Sequence, residues 1–190
     1  METNVKQDTE TNDIVLKSAR GILIFSKWIS VFAIVAITLG LVTLPFTYQS
    51  LRAEMSTVLV NTPSPEAAGM LALILMMGIV ILLLTLFAVN RLRRLVDSVG
   101  NGSPFTRING TRLRGIGLAA FAIQVVSFVG SLLGEGLLTM LGETKPGQDL
   151  NISIDASISL SGILLVLLLI ILARVFDRGA EMREELEGTI

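Results

Sequence analysis

The side chains that usually carry chemistry are scarce in this chain. Its 190 residues include no Cys and no His, so no thiolate can act as nucleophile or metal ligand, and the commonest general base is missing. Among the polar groups within or at the edges of its apolar segments, Lys27, Gln124, Glu135 and Asp155 are the ones to weigh for a role inside the membrane. Lys27 precedes an apolar run by one residue, where its stem can snorkel toward water. Glu135 lies 20 residues beyond Gly115, about 30 Å along a helix, which puts it at the far edge of that segment. Asp155 stands just ahead of the next one. All three read as interfacial groups, and Gln124, in mid-segment, is expected to bond a neighbouring helix. Neither paired carboxylates nor a metal-binding cluster is visible, so we assign no catalytic, cofactor or metal residues and expect no enzyme.

The elements around these groups are four uncharged apolar runs: Trp28 to Phe46, Ala67 to Val89, Gly115 to Gly134 and Ala156 to Ala173. Their 18 to 23 residues make roughly 27 to 35 Å of helix, which matches the roughly 30 Å hydrocarbon core of a bilayer. A mean hydropathy of +0.72 with 16% charged residues leaves too much apolar surface for a soluble chain of this size. The expected class is an all-α integral membrane protein, a four-transmembrane-helix bundle with cytoplasmic helical extensions. Its spans are expected at about 24–46, 67–90, 114–136 and 156–176, in a single domain 18–190 after a flexible tail 1–17. No cleavable signal is expected, because the first run is longer than a signal core and follows an acidic, polar segment.

Texture distinguishes the spans. Residues 71–89 and 163–173 are dense in Leu and Ile and read as lipid-facing over much of their surface. The third span carries Gly117, Gln124, Ser127, Gly130, Ser131 and Gly134, which allow close approach of backbones, and so reads as the most interior. Gly130 with Gly134, and more weakly Ala36 with Gly40, are read as intramolecular packing pairs in preference to a dimer seam. Oligomeric state stays open.

Charge gives the orientation. Lys6, Lys17, Arg20 and Lys27, then Arg91, Arg93, Arg94, Arg107, Arg112 and Arg114, then Arg174, Arg178 and Arg183 place 13 of 15 basic residues on one side. Only Arg52 and Lys145 lie opposite. Both termini and the loop from Val89 to Gly115 are therefore expected in the cytoplasm. On the other side, Leu150 to Leu160 alternates apolar and polar with period two. That is a strand signal, which a pairing with 56–60 would satisfy; the alternative is a fourth helix that begins near Ser153.

The cytoplasmic segments are the more specific part. Asn90 to Val99 extends the second helix with an apolar stripe of Leu92, Leu95, Val96 and Val99, and Gly100 to Gly102 ends it. Ser103 and Pro104 read as an N-cap and first helical position. Beyond the last span, Phe176, Met182 and Leu186 are expected to face the bundle, and Asp177, Glu181, Glu184 and Glu185 to face water or basic neighbours. Arg107, Arg112 and Arg114 would then meet Glu181, Glu184, Glu185 or Glu187 in a small structured cap, held mainly by burial of Phe105, Leu113, Phe176 and Leu186.

Two of these segments, Gly102 to Gly117 (GSPFTRINGTRLRGIG) and Ala173 to Ile190 (ARVFDRGAEMREELEGTI), resemble the bacterial membrane proteins of domain of unknown function family 2975. The likeness rests on the G-x-PF start, the N-x-x-RLR-x-IG approach to the third helix, and the closing Phe, Gly, Leu, Glu and Thr-Ile pattern; it runs from about Ser18 to Ile190. It implies a four-helix protein of a bacterial inner or plasma membrane. It also implies genes often placed beside a small helix-turn-helix regulator, and no established activity.

Three classes of function stay open. The favoured one is a non-enzymatic membrane protein that binds a small cytoplasmic DNA-binding regulator without touching nucleic acid itself. Its interaction surface would comprise Pro104, Phe105, Arg112, Leu113, Arg114, Phe176, Glu184 and Glu187. The second is a small transporter or immunity-type protein acting on a peptide or lipid, with Gln124 as the obvious midplane group. The third, a membrane enzyme, lacks the residues it would need. In each case the lipid bilayer is the one partner expected throughout.

Overall fold

The chain forms four α-helices, α1 Glu2–Val58, α2 Pro65–Gly100, α3 Arg107–Leu141 and α4 Leu160–Glu187. The structure, a computed structural model, describes residues 2–60, 63–142, 145, 154 and 156–187, with side chains for all of these except 2–15 and 187. All four helices are long and apolar enough to cross a membrane, and the chain is a multi-pass, all-α membrane protein. A helix suits that medium because it satisfies its backbone N–H and C=O groups within the segment.

Every helix outruns its apolar stretch. The 57 residues of α1 amount to about 85 Å, well beyond one bilayer core. This helix begins at Glu2, inside the stretch read as a tail, so the backbone there is helical. Four of its hydroxyls are satisfied within the helix: Ser30, Thr38, Thr43 and Thr47 each donate to the carbonyl four residues earlier at 2.7–3.0 Å. The fourth span, expected from about 156, starts only at Leu160.

The helices contribute to two compact units. The first comprises Met1–Val31, Leu84–Ala122 and Leu160–Ile190, the second Phe32–Leu83 and Ile123–Ser159. In the first, Leu95, Leu113 and Ala173 form a buried cluster against which Leu169 and Phe176 pack. The small side chain of Ala173 is fully buried, and small residues are what let membrane helices close on each other.

In the second unit, Leu59, Pro63 and Ala67 are buried, and Tyr48 donates its hydroxyl proton to the Ser64 carbonyl at 2.5 Å. Lys145 serves the end of α1: its Nζ donates to the carbonyls of Ser56 at 2.7 Å and Thr57 at 3.2 Å, and its backbone N–H to that of Val58 at 2.9 Å. These are the carbonyls a helix end leaves without donors. No strand forms among the described residues. Residues 56–58 belong to α1, Leu59 makes a single bridge, and 154 and 156–159 are neither helix nor strand. Residues 150–153 and 155, on which the expected alternation also rests, lie outside the described residues.

Exposure sorts the lipid-facing surfaces differently from texture alone. On α4, Ile163, Leu164, Leu165, Leu167, Leu168, Ile170 and Ile171 are exposed almost all round, as expected. On α2 the exposed set narrows to Leu73, Met76, Val80, Leu83 and Phe87, a single stripe at helical spacing. α1 is exposed at Phe25, Trp28, Phe32, Leu39, Val42 and Phe46, which its composition did not single out. α3 holds more buried residues than any other helix among the described residues. Of the small-residue pairs, a Cβ on Gly130 would lie 3.7 Å from Met77 Sδ and one on Gly134 would crowd Ile154, whereas Gly40 faces open space.

Candidate functional site

The residues singled out near the ends of the apolar runs come together around the short link between α2 and α3. α2 ends in a Schellman turn: Gly102 takes φ 72°, its N–H bonds the Val99 carbonyl at 3.0 Å, and the Ser103 N–H bonds that of Ser98 at 3.1 Å. Positive φ strains any residue with a Cβ, so glycine is the residue for this position. Pro104 then holds Ser103 away from helical geometry. α3 accordingly begins at Arg107 and not at Pro104, which corrects the capping role expected of Ser103 and Pro104.

What organises the link is Asn109, which is fully buried. Its Nδ2 donates to Ser98 Oγ and to the Pro104 carbonyl, both at 2.8 Å. Its Oδ1 accepts from the Arg112 guanidinium at 2.8 Å, and the same guanidinium nitrogen donates to the Arg94 carbonyl at 3.0 Å. Ser98 Oγ passes its own proton to the Ser103 carbonyl at 2.8 Å. One buried amide thus ties the end of α2, the link and the start of α3, and it is satisfied on both its nitrogen and its oxygen, as a buried polar group must be.

α3 meets α4 through Gly110, Leu113 and Gly117 on one side and Leu169, Ala173 and Asp177 on the other. A Cβ on Gly110 would run into the Asp177 carboxylate and lie 3.3 Å from the Ala173 carbonyl, so the helices touch backbone to backbone there. The Phe105 ring lies against Gly179 and 5.5 Å from that of Phe176, tilted by 44°. Charge closes the rim. Arg107 donates to both carboxylate oxygens of Glu184, at 3.1 and 2.8 Å, and Arg114 pairs with Asp177. From α1, Arg20 pairs with Asp97 at 2.8 Å.

The structure therefore gathers Pro104, Phe105, Arg112, Leu113, Arg114, Phe176 and Glu184 into one cap, though in different roles. Leu113 is buried at 2% exposure and is core, not surface. Arg112 braces Asn109 and meets no glutamate among the described residues. Arg114 takes Asp177, a residue read as facing water or basic neighbours, and Glu181 pairs along its own helix with Arg178 at 3.2 Å. Met182 and Leu186, expected to face inward, are 56% and 73% exposed; of the apolar stripe on α2 only Leu95 is buried, with Leu92 and Val99 exposed. Glu187 ends α4, and its side chain lies outside the described residues. Asn109 entered only as the first letter of the N-x-x-RLR pattern and Ser98 not at all, although a polar residue three places before the RLR triplet is the visible signal.

Away from the cap, Glu135 Oε1 accepts the Ala156 N–H at 2.9 Å, an anchoring contact, while Asp155 falls outside the described residues. Gln124 departs from expectation: its Oε1 is buried and has no hydrogen-bond partner among the described residues.

In chemical terms the cap offers guanidinium donors, carboxylates and apolar rings, groups suited to recognition. Residues 60–190 match the family described as "Protein of unknown function (DUF2975)". The match takes in both distinctive segments and leaves out α1, although the likeness was expected to reach back to Ser18. No curated protein and no solved structure matches the chain. With well over half of its length matched, the chain belongs to the DUF2975 family of proteins of unknown function.

Proposed function

We propose that this is a non-enzymatic protein of a bacterial cell membrane whose cap holds a soluble cytoplasmic protein at the membrane. The observation that carries the reading is the contrast within the cap. Asn109 at its centre is bonded on both amide atoms, yet Phe105, Met182 and Leu186 stand 45%, 56% and 73% exposed, beyond the apolar runs that lipid would cover. Exposed apolar side chains on a well-packed frame are a usual mark of a protein interface. The basic bias of the same side supports a cytoplasmic location. A small helix-turn-helix regulator is the partner class that the family resemblance suggests.

A photo-crosslinking residue placed at Met182 or Leu186, in native membranes with the candidate regulator co-expressed, tests this. The expected result is a crosslink to the regulator that is lost on Phe105→Glu. Absence of any crosslink from both positions overturns the reading.

The second reading, a small transporter or immunity-type protein acting on a peptide or lipid, draws on Gln124. A buried carbonyl oxygen without a partner is costly in a membrane helix, and a solute could satisfy it. Gln124→Leu should then abolish activity while Met182 and Leu186 tolerate change.

A further inference from the structure

Where α2 and α3 pass the ends of their apolar runs, they enclose an open pocket of about 470 Å³. Arg91, Arg94 and Arg112 line it together with Thr111, and Phe87 and Ile108 form its apolar wall. The guanidinium of Arg91 lies 4.4 Å over the Phe87 ring and donates to the Thr111 carbonyl at 3.2 Å. That of Arg112 is turned to the neutral groups of Asn109 and Arg94. The side chain of Arg94 has no partner among the described residues.

No carboxylate of the described residues lines this pocket. The ion pairs of the same unit join other arginines to Asp97, Asp177, Glu181 and Glu184. Three cations are thus gathered in a concave site with no carboxylate of the described residues among its lining, although like charges at close range repel. Phe87 belongs to the last turn of an apolar run, and Arg91 and Arg94 follow it by one and by nearly two helical turns, the depth at which lipid headgroups begin.

We propose that this pocket seats the headgroup of an anionic phospholipid, with the phosphodiester held by Arg91, Arg94 and Arg112 and the first acyl carbons against Phe87. Guanidinium forks match phosphate oxygens in geometry as well as charge. Basic pockets between membrane helices bind such headgroups, and the apolar wall favours a lipid over a free anion. The site is independent of the exposed residues on which partner docking rests.

The test is native mass spectrometry of the full delipidated chain in neutral detergent, titrated with phosphatidylglycerol or with phosphatidylcholine. Phosphatidylglycerol should bind more tightly. Arg94→Gln should weaken it about fivefold and leave phosphatidylcholine unchanged. Arg93→Gln, an exposed neighbour that does not line the pocket, should change neither. Because the Arg94 side chain has no partner among the described residues, its replacement should leave helicity and elution volume as they were. Arg112→Lys, which keeps the charge but loses the fork, should also weaken phosphatidylglycerol. Equal affinity for the two lipids overturns the proposal, as does an equal loss with Arg93→Gln. Full displacement of phosphatidylglycerol by inorganic phosphate would reassign the pocket to a free anion.

Discussion

Asn109 donates through its amide nitrogen to the hydroxyl of Ser98 at 2.8 Å, and this bond joins the first turn of α3 to the last turns of α2. Both ends of the asparagine are engaged, so its loss strands several partners at once. Asn109→Ala should lower stability by about 1 to 3 kcal/mol, the usual penalty for leaving buried polar groups unpaired. Asn109→Asp keeps the acceptor for Arg112 but removes the two donors, and should fall between Asn109→Ala and the parent. Thermal unfolding of the purified chain in detergent, followed by circular dichroism, reads the order directly. An unchanged midpoint in Asn109→Ala would show that the amide is not the organising group.

Gly110 and Gly40 give a paired prediction about helix contact. A methyl at Gly110 meets the Asp177 carboxylate and the Ala173 carbonyl, whereas one at Gly40 meets nothing within 4 Å. Gly110→Ala should therefore force α3 and α4 apart at about 1 to 3 kcal/mol. Gly40→Ala should be neutral or slightly stabilising, since alanine favours the helix. Equal midpoints for the two variants would contradict the close α3–α4 approach.

Much of the architecture was legible because the bilayer imposes it: a stretch such as Ala67 to Val89, uncharged and of spanning length, admits one structure in lipid. The cap was legible in outline. Opposite charges on the 102–117 and 173–190 segments, with Phe105, Leu113 and Phe176 between them, pointed to their packing. The pairing was not, because which carboxylate meets which arginine depends on helix rotation. Gly110 opposite Asp177 fixes that rotation and hands Arg114 to Asp177, leaving Glu184 for Arg107. The role of Asn109 escaped notice for a related reason: a buried asparagine and an exposed one are the same letter, and only the positions of Ser98 and Pro104 tell them apart. The inward stripe on the tail failed at Met182 and Leu186 because no described residue covers them there.

The cap should depend on apolar burial more than on its ion pairs. Leu113 is 2% exposed within the Leu95 and Ala173 cluster, and Leu113→Ala should cost about 2 to 5 kcal/mol. Glu184, paired with Arg107 at a water-exposed rim, should matter little, because such pairs are screened and entropically costly to hold. Phe176→Ala, which removes the ring that packs on Phe105, should loosen the tail more than Glu184→Ala does. Limited proteolysis of the segment after Ala173 distinguishes them; equal cleavage rates would place the cap's stability in charge after all.

The proposed orientation, with both termini and the α2–α3 link in the cytoplasm, rests on 13 basic residues against 2. The structure sharpens the contrast. One of the two, Lys145, spends its ammonium on the carbonyls of Ser56 and Thr57, so its charge is partly met at the end of α1. Arg91, Arg93 and Arg94, by comparison, follow directly on an apolar run, where positive charge acts most strongly on insertion. A phosphatase that works only outside the cytoplasm should be active when fused near 62 or 147 and inactive when fused at Gly102 or after the last residue. The opposite pattern would invert the protein and remove the cap from the reach of any cytoplasmic partner.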